Sequence, residues 1–245
     1  GHVKKVIIIE GASPDDGWAM SLAALEALGR AHHAKVPDEY EAVIARITPQ
    51  MLATLLYTSG TTGRPKGVEL VHDCWLYEAE GIDALGLLRE DDLQYLWLPL
   101  SHSFGKVLVA ALVRIGFVTA VDRRVEVKPT FVAAVPRVFE KVHNKVVVGA
   151  QEAGGAKAAI FSWAMRVGQE VSQLNQQHQR DPSGLLAIKH KIADALVFSK
   201  LRARFGGRLR FFISGGAPLS REVAEFFHAA TILIAEGYGL TETSA

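Results

Sequence analysis

Tyr57 to Gly67 reads YTSGTTGRPKG: a tyrosine, an unbroken run of Thr, Ser and Gly, then Arg64, Pro65, Lys66 and Gly67. LATLLY, directly before it, is apolar enough for a buried strand, and GVELV, directly after it, is again β-like. A strand that empties into such residues offers free backbone N–H groups, hydroxyl donors and positive charge together. Polyphosphate is the ligand that needs that combination. The bland alternative is a polar turn between strands, but hairpin connections usually take only about two to five residues. A Walker-A loop would need Gly-Lys-Ser/Thr opening a helix; here Gly63 is followed by Arg64-Pro65-Lys66-Gly67-Val68 and a β-like run. The stretch reads as a phosphate loop of another kind.

The rest of the chain sets the frame. With 245 residues, 49% apolar and 22% charged, it can bury a substantial core as one large domain or two modest ones. Lys and Arg number 27 against 26 Asp and Glu, so no net field recruits nucleic acid or an anionic membrane. The local basic cluster Arg202, Arg204, Arg208 and Arg210 reads as a solvated helix end and strand edge. Cys74 is the one cysteine, which excludes an internal disulfide and a Cys-based metal cage. VIII is too short for a signal core, and VLVAALV stops at Arg114, well short of a span. A cytoplasmic protein, with peripheral membrane association allowed and no transmembrane segment, is the expectation.

Strands are expected at 3–10, 52–58, 93–98, 117–121, 130–135, 209–214 and 231–236, with helices at 19–30, 72–88, 104–115, from Pro136 onward, and at 157–179, 185–205 and 220–229. Pro136 suits a first helical position, and Gly206-Gly207 ends a helix. Such alternation predicts an α/β fold with a parallel-rich sheet. One join is too short. DRRVEVK, between Val121 and Pro129, cannot return a strand parallel to its neighbour, since a crossover takes about a dozen residues or more. Either those strands are not neighbours, or residues are missing near Arg123–Arg124; the second is the favoured reading.

Two further loops carry chemistry. SGGAPLS, Ser214 to Ser220, lies between a strand and a helix, so Gly215 and Gly216 let the backbone pass close to a flat or anionic ligand. A plain tight turn is the competing reading. EGYGLTET, Glu236 to Thr243, also follows a strand. Tyr238 supplies a ring for stacking, Thr241 a hydroxyl, and Glu242 a hard oxygen ligand suited to Mg²⁺ on phosphates. Three loops at strand ends converge where open α/β sheets collect ligands.

In order and wording these loops resemble the acyl-adenylate-forming superfamily of acyl-CoA synthetases, luciferases and peptide-synthetase adenylation domains. YTSGTTGRPKG is similar to its phosphate loop and YGLTET to its adenylate-binding motif. LPLSHSFGK, KPTFVAAVPRVFEKV and FFISGGAPLS look like the long-chain fatty acid–CoA ligases within it. The resemblance implies a partial luciferase-like N-terminal domain of two α/β lobes, a phosphate-loop lobe over 1–88 and an adenine/acyl lobe over 89–245. Carried over by position, Thr58, Ser59, Gly60, Thr61, Thr62, Gly63 and Lys66 would hold the ATP phosphates. Gly215, Gly216, Ala217, Tyr238 and Gly239 would enclose adenine, Thr241 would touch the α-phosphate, and Glu242 would bind Mg²⁺. His102, by itself a turn residue after Pro99, would flank the acyl and adenylate site.

The implied activity is ATP-dependent activation of a long-chain fatty acid to acyl-AMP and then acyl-CoA, with ATP and coenzyme A as co-substrates. The alternatives are an aryl- or amino-acid-adenylating relative and a catalytically inactive nucleotide-binding module. The resemblance places a ribose-binding acid and a mobile lid outside these residues, so the 245 residues alone are expected to be inactive.

Overall fold

The computed structural model describes residues 3–11, 17–59, 63–121 and 127–243, and the side chain of residue 178 is outside the description. The chain forms two compact units, residues 1–51 and 52–245. In the first, β1 (Val6–Ile8) pairs in parallel with β2 (Ala19–Ser21), followed by α1 (Leu22–Lys35) and α2 (Glu39–Ile44). Ser21 caps α1, accepting from the Ala24 N–H at 3.2 Å. The helix expected from Ala19 therefore starts three residues later, and a short strand occupies its place; α2 carries no strong sequence signal.

The second unit opens with β3 (Leu52–Thr58) and β4 (Lys66–Val71), an antiparallel ribbon whose connecting loop carries the phosphate-loop sequence. Next come α3 (His72–Ala84), β5 (Leu93–Tyr95), α4 (Ser103–Ile115), β6 (Val118–Ala120) and β7 (Phe131–Ala134). Helices α5 (Pro136–Glu152) and α6 (Gly155–His178) follow, Pro136 filling the first helical turn. The helix expected over 185–205 is three segments: α7 (Gly184–Ala193), a π-turn (Asp194–Phe198) and α8 (Ser199–Ala203). It stops where Gly206 and Gly207 take φ of 90° and 75°. Strand β8 (Phe211–Ser214), α9 (Arg221–Ala229) and β9 (Leu233–Glu236) complete the unit.

The main sheet runs β6-β5-β7-β8-β9, every pair parallel. Its central strands β7 and β8 are buried on both faces, and the pleat explains how. Phe131, Ala133 and Phe211 point to the side of α4, packing with Leu108 and Phe117. Ala134 and Phe212 point the other way, toward Phe139, Phe198 and Phe227. Continuous apolar runs such as FVAA and FFI are what two covered faces require. Phe131 stacks on Phe211 at 6.0 Å, and Phe139 meets Phe212 edge-on at 5.2 Å.

β5 lies between β6 and β7, so the strands on either side of the short join are not neighbours. The favoured reading of missing residues near Arg123–Arg124 falls outside the described residues. In the basic cluster Arg204 and Arg208 are exposed, as a solvated cluster requires, whereas Arg202 and Arg210 are ion-paired. Arg210 Nη1 reaches both carboxylate oxygens of Asp92 at 2.7 and 2.6 Å, and Arg202 pairs with Asp194 at 2.7 Å. Their partners lie 118 and 8 residues away, so local charge density gives no hint of the first pair.

Candidate active site

The sheet changes direction at β5: the chain goes outward to β6, then returns to β7 on the other side of β5. Ligands in open α/β sheets bind beyond the carboxyl ends of strands at such a reversal. The loops after β5, β7, β8 and β9 all leave from that end. They line, together with the ends of β3 and β4, a cavity of about 810 Å³.

Thr58, Ser59, Lys66, His102, Gly216, Gly239, Thr241 and Glu242 all border this cavity. Segments separated by well over a hundred residues are thus brought to one space. Thr58 ends β3 and Lys66 opens β4, so the ribbon fixes both ends of the phosphate loop. Gly63 takes φ of 80°, a conformation that suits glycine; it does not border the cavity. Gly60, Thr61 and Thr62 lie outside the described residues. Thr241 and Glu242 form a single 3-10 turn, closed by the Thr243 N–H donating to the Leu240 carbonyl at 2.9 Å.

His102 occupies the N-cap position of α4, its N–H donating to the Pro99 carbonyl at 3.2 Å. The turn reading and the cavity-lining reading hold for it together. Gly105, one turn into α4, packs so closely on the Pro99–His102 bend that a Cβ there would stand 2.7 Å from the Pro99 oxygen.

A second, smaller cavity of about 240 Å³ adjoins the first, and Ser103, Phe104, Gly216 and Gly239 border both. Its other walls are mainly apolar: Ile82, Leu85 and Leu88 on one side, Val107, Leu108 and Ile213 on the other. Gly215 and Tyr238 line this space, and Tyr238 is 92% exposed. A Cβ on Gly215 would lie 3.1 Å from the Phe104 ring, so the loop after β8 passes that ring without a side chain between them. Ala217 is exposed and borders neither cavity. The small cavity draws on residues both before and after Leu88, whereas the sequence reading divides its lobes there.

Sequence reasoning missed three residues of this region. Glu236, at the end of β9, accepts the Leu219 N–H at 3.0 Å and so joins the two glycine-bearing loops. Trp97 lines the large cavity, its indole N–H held by the Ala133 carbonyl at 3.0 Å. Glu78 faces the small cavity from α3, and burial raises its carboxyl above the usual glutamate value. Only the position of Glu236 directly before Gly237 gave any signal.

Mg²⁺ fits the donor set in one specific way. Among the described residues no group of three or more His, Cys, Asp or Glu side chains could hold a metal. Among the described residues a single exposed carboxylate, Glu242, borders the large cavity, which Thr241 and Lys66 also line. Mg²⁺ commonly takes one or two protein carboxylates and completes its shell with water and substrate phosphates, so one carboxylate suffices.

Residues 2–245 match the profile described as AMP-binding enzyme. The chain is 37% identical over 252 aligned residues to the long-chain-fatty-acid–CoA ligase FadD15 of Mycobacterium bovis, covering 99% of this chain and 40% of that protein. It is 35% identical to the long-chain-fatty-acid–CoA ligase ACSBG2 of Homo sapiens, over 85% of this chain and 33% of the relative. The chain therefore spans about two fifths or less of the length of these curated relatives. In fold it is similar to ATP-bound MatB from Rhodopseudomonas palustris, with a TM-score of 0.51 at 21% identity over 80% of this chain and 31% of that one. The profile match over almost every residue, together with the convergence of the three loops on one cavity, places the chain in the AMP-binding enzyme family.

Proposed function

We propose that the chain is the part of a long-chain fatty acid–CoA ligase that holds ATP and the acyl group. The observation that carries this reading is the adjacency of the two cavities: one ringed by the phosphate-loop ends, Thr241 and Glu242, the other walled by aliphatic side chains, with four residues in common. Phe104, Tyr238, Glu78 and Glu236 also border the smaller cavity, but its aliphatic side chains predominate and suit an alkyl chain better than an aryl or amino-acid substrate, and an inactive nucleotide-binding module has no use for the apolar space. The names of the curated relatives agree with the fatty acid.

In this reading the fatty carboxylate oxygen bonds to the α-phosphorus of ATP as the bond to the pyrophosphate oxygen breaks. The thiol of coenzyme A then bonds to the acyl carbon, AMP leaves, and the thiol proton goes to solvent. The carboxylate is already ionised at neutral pH, so no general base is needed for the first step. The protein's part is positioning and charge. Lys66, Thr58, Ser59, Gly60, Thr61, Thr62 and Gly63 hold the β- and γ-phosphates. Gly215, Gly216, Ala217, Tyr238 and Gly239 would enclose the adenine, Gly216 and Gly239 from the wall the two cavities share, Gly215 and Tyr238 from beside the small cavity and Ala217 from outside both. Thr241 meets the α-phosphate, and His102 flanks the acyl and adenylate groups from the large cavity. Glu242 would hold Mg²⁺, which would supply neutralisation of phosphate charge when bound. Phosphate binding falls to residues before 89 and adenine binding to those after, while the acyl chain takes walls from both.

We also propose a cytoplasmic protein that rests on membranes. No described helix is long and apolar enough to cross one. Helix α7 (GLLAIKHKIA) leaves Leu185, Ile188 and Ile192 exposed along one face, with Lys189 and Lys191 and no acidic residue in the helix. That pattern suits an anionic lipid surface. Replacing the three aliphatic residues by Ser should abolish co-sedimentation with anionic vesicles; unchanged binding would remove the proposal.

The test of activity uses the protein at the full length of its relatives, with ATP, Mg²⁺, coenzyme A and palmitate, following AMP and acyl-CoA by chromatography. Stoichiometric AMP and palmitoyl-CoA support the reading. Activation of benzoates or amino acids instead, or of nothing, overturns it. The 245 residues alone are expected to form no thioester.

A further inference from the structure

One ionisable side chain in the wall of the small cavity has no described partner. Glu236 is engaged by the Leu219 N–H, and the Tyr238 ring is almost wholly exposed. Glu78 makes no hydrogen bond or ion pair with a described residue, although α3 packs along α4 and buries the side chain in part. Its neighbours in the wall, Ile82, Leu85 and Leu88, are aliphatic. The position has a direction as well. The residues shared by the two cavities come from α4 and from the loops after β8 and β9, and α3 supplies none of them. An acyl chain entering from the large cavity meets the shared Phe104 and then the wall that belongs to the small cavity alone, which includes Glu78.

An unsubstituted alkyl chain at that depth strips water from the carboxyl group and offers nothing in exchange. A hydroxyl on the chain restores the lost hydrogen bond, donating to the carboxylate or accepting from the carboxylic acid. Sites that hold a polar group for such a partner reject analogues lacking it far more strongly than apolar pockets reject an extra methylene. Burial already raises the Glu78 carboxyl above its usual value, consistent with a wall where charge is poorly solvated.

We infer that Glu78 makes the acyl pocket selective for chains that carry a hydrogen-bonding substituent, a hydroxyl in the simplest case, over unsubstituted chains of the same length. The inference rests on the acyl reading of the small cavity.

The experiment compares kcat/KM of the full-length protein for stearate and for a series of monohydroxystearates with the hydroxyl moved along the chain. At least one positional isomer should exceed stearate fivefold or more. Glu78→Leu should remove that preference, chiefly by lowering KM for stearate, while Glu78→Gln, which keeps an acceptor and a donor, should retain most of it. A merely structural role would weaken all substrates together and leave the ratio alone. A wild-type protein that activates stearate as well as every isomer, or a ratio unchanged in Glu78→Leu, overturns the inference and leaves the ligase reading standing. Failure of the wild type to activate any fatty acid overturns both.

Discussion

Glu236 Oε1 accepts a hydrogen bond from the Leu219 backbone N–H at 3.0 Å, across 17 residues of chain. Leu219 belongs to the loop after β8 and Glu236 closes β9, so one side chain sets the spacing of the two glycine-bearing loops. Their positions matter because Gly216 and Gly239 both border the large cavity. A carboxylate at a loop end can look like a catalytic base; here its geometry assigns it to the loops.

Removing that tie should loosen the nucleotide site without unfolding the sheet. Glu236→Ala is expected to raise KM for ATP about five- to tenfold, in line with the loss of roughly 1–1.4 kcal/mol for one charge-assisted hydrogen bond. Glu236→Gln keeps an acceptor oxygen and should recover most of the affinity. ATP titration of the pyrophosphate-exchange rate in both variants is the measurement, and equal ATP affinity in all three proteins would refute the role.

Lys66 opens β4 at the rim of the large cavity, with no described ion-pair partner to neutralise it. Lys66→Ala should lower adenylate formation at least tenfold, about 1.4 kcal/mol of barrier. Gly63→Val should do the same for another reason: a β-branched residue is strained at φ of 80°. Pyrophosphate exchange at the wild-type rate in both variants would show that this loop does not hold phosphate.

Much of this was legible in the chain. Doubly buried strands announce themselves as unbroken apolar runs because both faces need side chains, and FVAA and FFI do so. The three loops were readable as glycine- and hydroxyl-rich runs at strand ends, and residues of all three line one cavity. The β3–β4 ribbon was half legible: both strands were evident, but their antiparallel pairing depends on how the loop turns. Glu236, Trp97 and Glu78 were hidden because their partners or cavities are assembled by the fold. The pairing of Arg210 was hidden for the same reason. Its partner Asp92 sits in DDL, a stretch that looks like an exposed turn.

Glu242 is expected to act as a metal ligand and not as a base. Attack by an ionised carboxylate releases no proton to collect, whereas ATP needs its charge neutralised. Glu242→Gln should therefore raise the Mg²⁺ concentration for half-maximal activity severalfold while the pH profile keeps its shape. An unchanged Mg²⁺ titration with a shifted pH profile would assign the side chain to proton transfer.

Asp92 should govern the acid limit of folding. It is 2% exposed, and burial alone would raise its carboxyl. Hydrogen bonds from Arg210, Thr130 and the Arg89 N–H, with the Arg210 charge, outweigh that and hold it below the ordinary aspartate value. A carboxylate depressed on folding adds stability that is complete above its unfolded value, near 3.8, and disappears as pH falls through the lower folded one. The anchor joins distant parts of the sheet: Asp92 precedes β5, Thr130 precedes β7, and Arg210 precedes β8. Arg210→Ala leaves Asp92 buried with weaker partners and should reduce stability by about 3 kcal/mol at neutral pH. Asp92→Asn should be destabilised there too, and its stability should fall less steeply than the wild type's as pH drops below about 3.8. Urea unfolding at a series of pH values tests both. If Asp92→Asn and wild type lost stability in parallel across that range, the Asp92 carboxylate would not be the group that sets the acid limit.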